Sequence, residues 1–192
     1  MGAGDVRFPL AALPGRRQVA VMIQLLLSET LPSPLGAITI LTDDAGVLRA
    51  LEFEDHHDRM ARLLRLHYPQ GWRVEPASGE SAAMRALAAY FAGDLSEIDT
   101  LPTATGGTAF QRAVWAALRD VPAGRTVAYA DIAAAIDRPG AMRAVGMVNG
   151  SNPIAIVVPC HRIIGRSGLL TGYAGGLARK QWLLAHEGAV LV

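Results

Sequence analysis

One position in this chain combines a reactive side chain with neighbours that could activate it. Cys160 is the only cysteine among 192 residues, and His161 follows it directly. A thiol is a useful nucleophile only as thiolate, and free cysteine, with a pKa of about 8.5, is mostly protonated at neutral pH. An imidazole can take that proton, and a carboxylate can hold the imidazole in the accepting tautomer. Glu187 is the only acidic residue after Asp137 and therefore the leading third member. Adjacency does not by itself bring the His161 ring to the sulfur; a local turn or a bridging water is needed. Spacing leaves two readings open: a Cys160–His161–Glu187 relay, or a small buried hydrophobe, the ordinary role of a free cysteine. A lone cysteine excludes an internal disulfide and a multi-thiolate zinc site.

The rest of the chain must position these groups. With 51% hydrophobic and 18% charged residues it can bury a core, which excludes a disordered or collagen-like chain. The net charge is +1, but it is unevenly spread: residues 1–100 carry −4 and residues 101–192 carry +5. A basic second half suits a polyanionic partner, although a surplus this small does not specify one.

Residues 1–17 lack periodicity and read as an N-terminal extension. The apolar run Val19 to Leu27 follows two arginines, as a signal peptide would. No small-residue cleavage pattern comes after it, and it falls short of the roughly 20 residues that span a bilayer. It reads as a buried strand of a cytoplasmic protein. Further strands are expected at 36–42 and 47–54, the last alternating Leu51 and Phe53 inward with Glu52 and Glu54 to solvent. One helix should bury Met60, Leu63, Leu64 and His67, with Arg59, Arg62 and Arg65 on its other side. A second, from about Ser81 to a stop at Gly93, should bury Met84, Leu87, Ala88 and Phe91. These elements make an α+β unit over 18–93 with a three-stranded antiparallel sheet. Residues 94–107 read as a linker.

The second half, 108–192, reads as mostly helical. Thr108 and Gln111 form a capping-box pattern ahead of the stripe Phe110, Val114, Trp115 and Leu118. Short helices over 129–136 and 141–149, joined by a glycine-containing turn, outline a helix-turn-helix. Residues 154–158 read as a buried strand or extended segment, and a last helix runs over 177–187 to Gly188.

The stretch 152–165, Asn-Pro-Ile-Ala-Ile-Val-Val-Pro-Cys-His-Arg-Ile-Ile-Gly, resembles the active-site segment of the O6-alkylguanine-DNA alkyltransferases, also called methylated-DNA–protein-cysteine methyltransferases. The similarity continues through Tyr129 and Arg143-Ala144-Val145-Gly146 upstream. Downstream it runs through Gly172-Tyr173-Ala174-Gly175-Gly176 and Trp182 to Gly188, covering nearly all of 108–188. It implies a ribonuclease-H-like first domain, then a winged-helix-like domain that binds double-stranded DNA through the minor groove. Cys160 would attack the alkyl carbon on guanine O6 and keep the group as a thioether, so each molecule would act once. His161 would draw the thiol proton through a water and Glu187 would orient the imidazole. Tyr129 would lend its phenolic hydrogen to the departing guanine.

The resemblance also implies how the base is reached. Arg143 would fill the stack vacated by a flipped nucleotide, with Ala144 and Gly146 letting the helix approach closely. Asn152 would be the hinge between DNA-binding helix and reactive segment. Val158, Pro159, Tyr173, Ala174 and Gly175 would wall the base pocket; some relatives carry serine where this chain has Ala174, so recognition there would rest on backbone groups. Other relatives bind zinc through cysteines of the first domain. This chain has none there, and His56, His57 and His67 alone make a weak metal case, so no metal and no cofactor are expected. The protein would be a monomer in solution, with cooperativity on DNA left open.

Three rivals fit less well. A non-catalytic alkyltransferase-like protein replaces the nucleophile, which Cys160 retains. A winged-helix regulator has no use for His161, Tyr129 and Glu187 as placed. A cysteine hydrolase of small molecules does not account for the helix-turn-helix.

Overall fold

The computed structural model describes residues 23–165 and 168–189. The extension at 1–17 and the start of the expected first strand lie outside them. Strand β1 (Gln24–Leu31) begins later than the apolar run suggested and carries Leu26 and Leu31 inward. It pairs antiparallel with β2 (Ile38–Thr42), which pairs antiparallel with β3 (Leu48–Phe53). Helix α1 (His57–His67) buries Met60, Leu63 and Leu64, and packs Met60 and Leu64 against Leu26, Leu41 and Ala50 on one face of the sheet.

A fourth strand, β4 (Trp72–Pro76), lies parallel to β1, so the sheet is mixed with order β3-β2-β1-β4. This corrects the three-stranded antiparallel expectation. Arg73 to Pro76 are all exposed, so the strand shows no inward alternation. It also carries a proline, which sheets admit at edges. A second correction concerns Glu52: it is 2% exposed instead of facing solvent, because α1 lies over its face and Arg59 ion-pairs with it.

Helix α2 (Ala82–Ala92) is capped by the Ser81 hydroxyl, which accepts from Met84 N at 3.1 Å, and ends at Gly93 with φ 109°. Only glycine adopts such a conformation freely. Its inward face is Ala83, Ala86, Leu87 and Tyr90; Ala88, expected inside, is exposed. The stretch 94–107 is tied down along its length. Ile98 and Leu101 are buried, Leu48 N donates to Pro102 O, and Ala104 N donates to Leu48 O. Gly106 crosses so close to His67 that a Cβ would stand 2.5 Å from its carbonyl oxygen.

Helix α3 (Ala109–Arg119) starts with both hydrogen bonds of the Thr108–Gln111 capping box and buries Val114, Trp115 and Leu118. A two-residue strand β5 (Val127–Ala128) leads into α4 (Tyr129–Ala135), a turn with Asp137 at φ 56°, and α5 (Met142–Gly150). These helices form the helix-turn-helix. Residues 153–155 continue the sheet past β3: Leu51 N donates to Pro153 O and Ala155 N donates to Leu51 O. The chain then leaves the extended form, because Val158 N turns back to Ile154 O. Strand β6 (Ile163–Ile164) pairs parallel with β5 where a winged helix would carry a hairpin, and α6 (Leu177–His186) ends the fold. One core runs from β1–β3 and α2 through α3–α5 to α6, with Ile154 to Val158 inside it.

Candidate active site

The turn that leads into Cys160 is a compressed piece of backbone. Ile156 sits at φ 67°, and Val157 N closes onto Ala155 O at 2.7 Å. A β-branched residue in that region costs about 1–3 kcal/mol and persists only when its surroundings hold it. Here they do, since Ile154, Ile156, Val157 and Val158 are all under 6% exposed. Pro159 (φ −81°, ψ 64°) centres a second tight turn in which Cys160 N donates to Val158 O at 2.8 Å.

Asn152, 1% exposed, ties the turn together. Its Nδ2 donates to Val158 O at 2.8 Å and reaches Cys160 Sγ at 3.2 Å, while Oδ1 accepts from Ile154 N at 3.0 Å. Arg59 supports the same point from the first half of the chain, donating to Gly150 O and Asn152 O at 2.8 and 3.1 Å.

Cys160, His161 and Glu187 are buried together. Burial pushes the Cys160 thiol above its ordinary pKa; the Asn152 hydrogen bond and the charges of Arg59 and Lys180 oppose that shift. The thiol is therefore protonated at rest. Burial lowers the His161 pKa, against the hydrogen bond and charge of Glu187, so the imidazole is neutral. His161 Nε2 lies 2.8 Å from Glu187 Oε1, the geometry of a donated Nε2–H. The opposite nitrogen, Nδ1, is buried with no hydrogen-bond partner, leaving its lone pair open to a proton. Burial alone would raise the Glu187 pKa, but donors from His161 and Arg162 hold it at about 2. Arg162 grips both oxygens, Nε to Oε2 and the terminal nitrogen to Oε1, each at 2.9 Å.

Cys160 opens onto a cavity of about 350 Å³ bounded by Tyr129, Gly146, Asn149, Gly150, Gly172, Tyr173 and Ala174. A second, apolar hollow of about 350 Å³ lies beside it on the helix-turn-helix, lined by Met142, Arg143, Ile164 and again Tyr129 and Gly146. Tyr129 and Gly146 thus stand between the two. Arg143 is exposed on α5 and Ala144 is half-buried on the same helix. Of the expected pocket wall, Tyr173 and Ala174 line the Cys160 cavity. Val158 instead faces a separate cavity with Trp115 and Arg119, Pro159 is buried in the turn, and Gly175 packs under Tyr173 and Phe53.

Several contributors carry no role from the sequence. Arg162 lies within the Pro-Cys-His-Arg stretch, yet nothing local shows that it folds back onto Glu187. Lys180, the only lysine, is fully buried on the inner face of α6 and donates to Ile163 O and Thr171 O, pinning both ends of the segment between them. Burial lowers its pKa to about 8. Among the described residues no cluster of three or more His, Cys, Asp or Glu could hold a metal ion, and no helix is long and apolar enough to cross a membrane.

Two family models divide the chain. Residues 26–105 match the 6-O-methylguanine DNA methyltransferase ribonuclease-like domain, and residues 109–189 match its DNA-binding domain. The chain belongs to the methylated-DNA–protein-cysteine methyltransferases. Among family members, the Salmonella typhimurium enzyme of that name is 54% identical over 168 residues, 87% of this chain and 98% of its own. The Mycobacterium tuberculosis enzyme is 45% identical over 159 residues, 83% of this chain and 90% of its own. The crystal structure of Mycobacterium tuberculosis OGT in complex with DNA superimposes with a TM-score of 0.71 at 43% identity, covering 84% of this chain and 92% of that one. The Pyrococcus kodakaraensis O6-methylguanine-DNA methyltransferase, at 24% identity and a TM-score of 0.59, shares the fold.

Proposed function

We propose that this methyltransferase repairs DNA by moving an alkyl group from guanine O6 to the Cys160 sulfur. The observation that carries this reading is a buried thiol opening onto a cavity next to a neutral imidazole whose Nε2 is held by a carboxylate. The thiol proton passes through a water to His161 Nδ1, and the thiolate attacks the alkyl carbon in line. The carbon–oxygen bond breaks as the carbon–sulfur bond forms. The guanine leaves with its charge offset by the Tyr129 hydroxyl and ends as ordinary protonated guanine once the His161 proton is returned. The thioether does not hydrolyse readily, so the protein acts once.

A base inside a duplex cannot reach a buried thiol, so the damaged nucleotide is flipped out at a cost of a few kcal/mol. Arg143, exposed on the second helix of the helix-turn-helix, takes the vacated place, and the minor groove receives that helix. The cavity between Tyr129, Gly146 and Tyr173 receives the base, Asn152 is the hinge, and Ala144 and Gly146 keep the helix surface low. The segment 94–107 separates a scaffold unit from the unit that binds DNA. The protein works as a cytoplasmic monomer.

The test is direct: mix the protein with a duplex carrying labelled O6-methylguanine and follow the label. It should move to protein; label that stays on DNA refutes the reading. Arg143→Ala should slow transfer from duplex far more than transfer from the free base O6-benzylguanine, because only duplex requires extrusion. Equal loss on both substrates would remove Arg143 from the flipping step.

A further inference from the structure

Glu187 has more partners than orienting one imidazole requires. Its Oε1 accepts from His161 at 2.8 Å, from Arg162 at 2.9 Å and from the hydroxyl of Tyr90 at 2.9 Å. Tyr90 comes from α2, in the other half of the chain, and is fully buried. A phenol in a core costs stability unless its hydroxyl is bonded, and a phenylalanine would fill the same space without that demand. This hydroxyl is bonded, and to the one carboxylate oxygen that faces His161.

We propose that Tyr90 is a positioning residue for alkyl transfer: its hydroxyl fixes Glu187 Oε1 and limits the negative charge that Glu187 presents to His161. The first half of the chain is then part of the relay as well as its scaffold. This rests on the Cys160–His161–Glu187 reading.

The surroundings hold the phenol in place and in its donor form. His186 lies edge-on to the Tyr90 ring at 5.2 Å, bonds Tyr90 O at 2.8 Å, and stacks on Trp182 at 4.8 Å. Burial first, then the charge of Glu187, raises the Tyr90 pKa far above its ordinary value, so it remains a donor throughout the working pH range. The charged and titratable groups facing Glu187 are His161, Arg162 and Tyr90; those facing His161 are Glu187, Arg162 and Lys180, together with the Tyr173 ring, edge-on at 6.4 Å. Removing the hydroxyl leaves Oε1 with two donors and more charge for each. The His161 Nε2–H bond tightens and the imidazole holds a proton to higher pH.

Tyr90→Phe tests this, because the ring stays and only the bond goes. Two readouts are taken, with DNA affinity and thermal melting as controls. The first is the chemical shift of the His161 Nε2–H, expected to move downfield, with His67 as an unchanged reference. The second is the pH profile of single-turnover transfer from an O6-methylguanine duplex. Its acid limb should move up by about half a unit, slowing transfer on that limb about threefold. DNA affinity should be unchanged. An unshifted Nε2–H, or a rate loss equal at every pH, overturns the proposal. If the wild-type protein moves no alkyl group while the Nε2–H still shifts, the transfer reading fails and the hold of Tyr90 on the pair stands.

Discussion

Glu187→Gln is expected to destabilise the protein by about 3–5 kcal/mol, the cost of leaving a buried charge without its partner. The stranded group is Arg162, 1% exposed, which places two hydrogen bonds on the Glu187 carboxylate. An amide offers one acceptor where the carboxylate offered two. Its NH2 group must therefore face either the Arg162 Nε–H, or the Arg162 terminal N–H together with His161 and Tyr90. Chemical denaturation should show a lowered midpoint with little change in slope, and transfer should fall well beyond the loss of folded protein.

The same carboxylate makes stability depend on pH. Its folded pKa of about 2 lies below the ordinary value of 4.5, so its contribution is present above that ordinary value. It is lost as pH falls through the window between them. By linkage the full effect is on the order of 3 kcal/mol. His161 adds a step at higher pH. Its folded pKa is depressed below 6.5, so on acidification the unfolded chain binds a proton before the folded one does. Melting temperature should decline as pH drops below about 6.5 and fall more steeply below about 4.5. Glu187→Gln should flatten the second decline and not the first.

The second large effect is on chemistry with little on stability. Cys160→Ala should reduce transfer to the background of DNA alone, because no other group on the cavity wall is a thiol. Folding should be weakened by only about 1 kcal/mol, since a small buried group is removed and Asn152 Nδ2 keeps its bond to Val158 O. Affinity for undamaged duplex should be preserved, as Arg143 and the exposed face of α5 are untouched. Cys160→Ser should be nearly as inert despite its similar shape, because a hydroxyl in this buried place gives up its proton far less readily than a thiol. Anisotropy with labelled duplex beside a transfer assay separates the two outcomes.

What could be read from sequence divides along physical lines. Local signals are dependable: the start of α2 near Ser81, the Gly93 stop and the Thr108–Gln111 capping box each depend on neighbours within a turn or two, and each is present. Cys160, His161 and Glu187 could be nominated from residue chemistry, and the resemblance ordered them. Properties set by distant packing were hidden. Strand β4 has almost no buried side chain to mark it, so only its ladder with β1 defines it. Glu52 matches the polar beat of a half-solvated strand, and nothing in 47–54 tells that α1 will lie over it with Arg59. Tyr90 sits one helical position from the residues chosen as the inner face of α2. A hydroxyl that seeks a carboxylate 97 residues away leaves no periodic trace. Arg162 is similar, two residues after Cys160 in sequence but defined by what it grips.

The most direct measurement is the mass of the protein after mixing with excess O6-methylguanine duplex, followed by peptide mapping. The protein should gain one methyl group per molecule, placed on Cys160, with guanine restored in an equal amount of DNA and no further repair afterwards. A methyl group on another residue, repair continuing past one equivalent, or unchanged protein beside unrepaired DNA would contradict it.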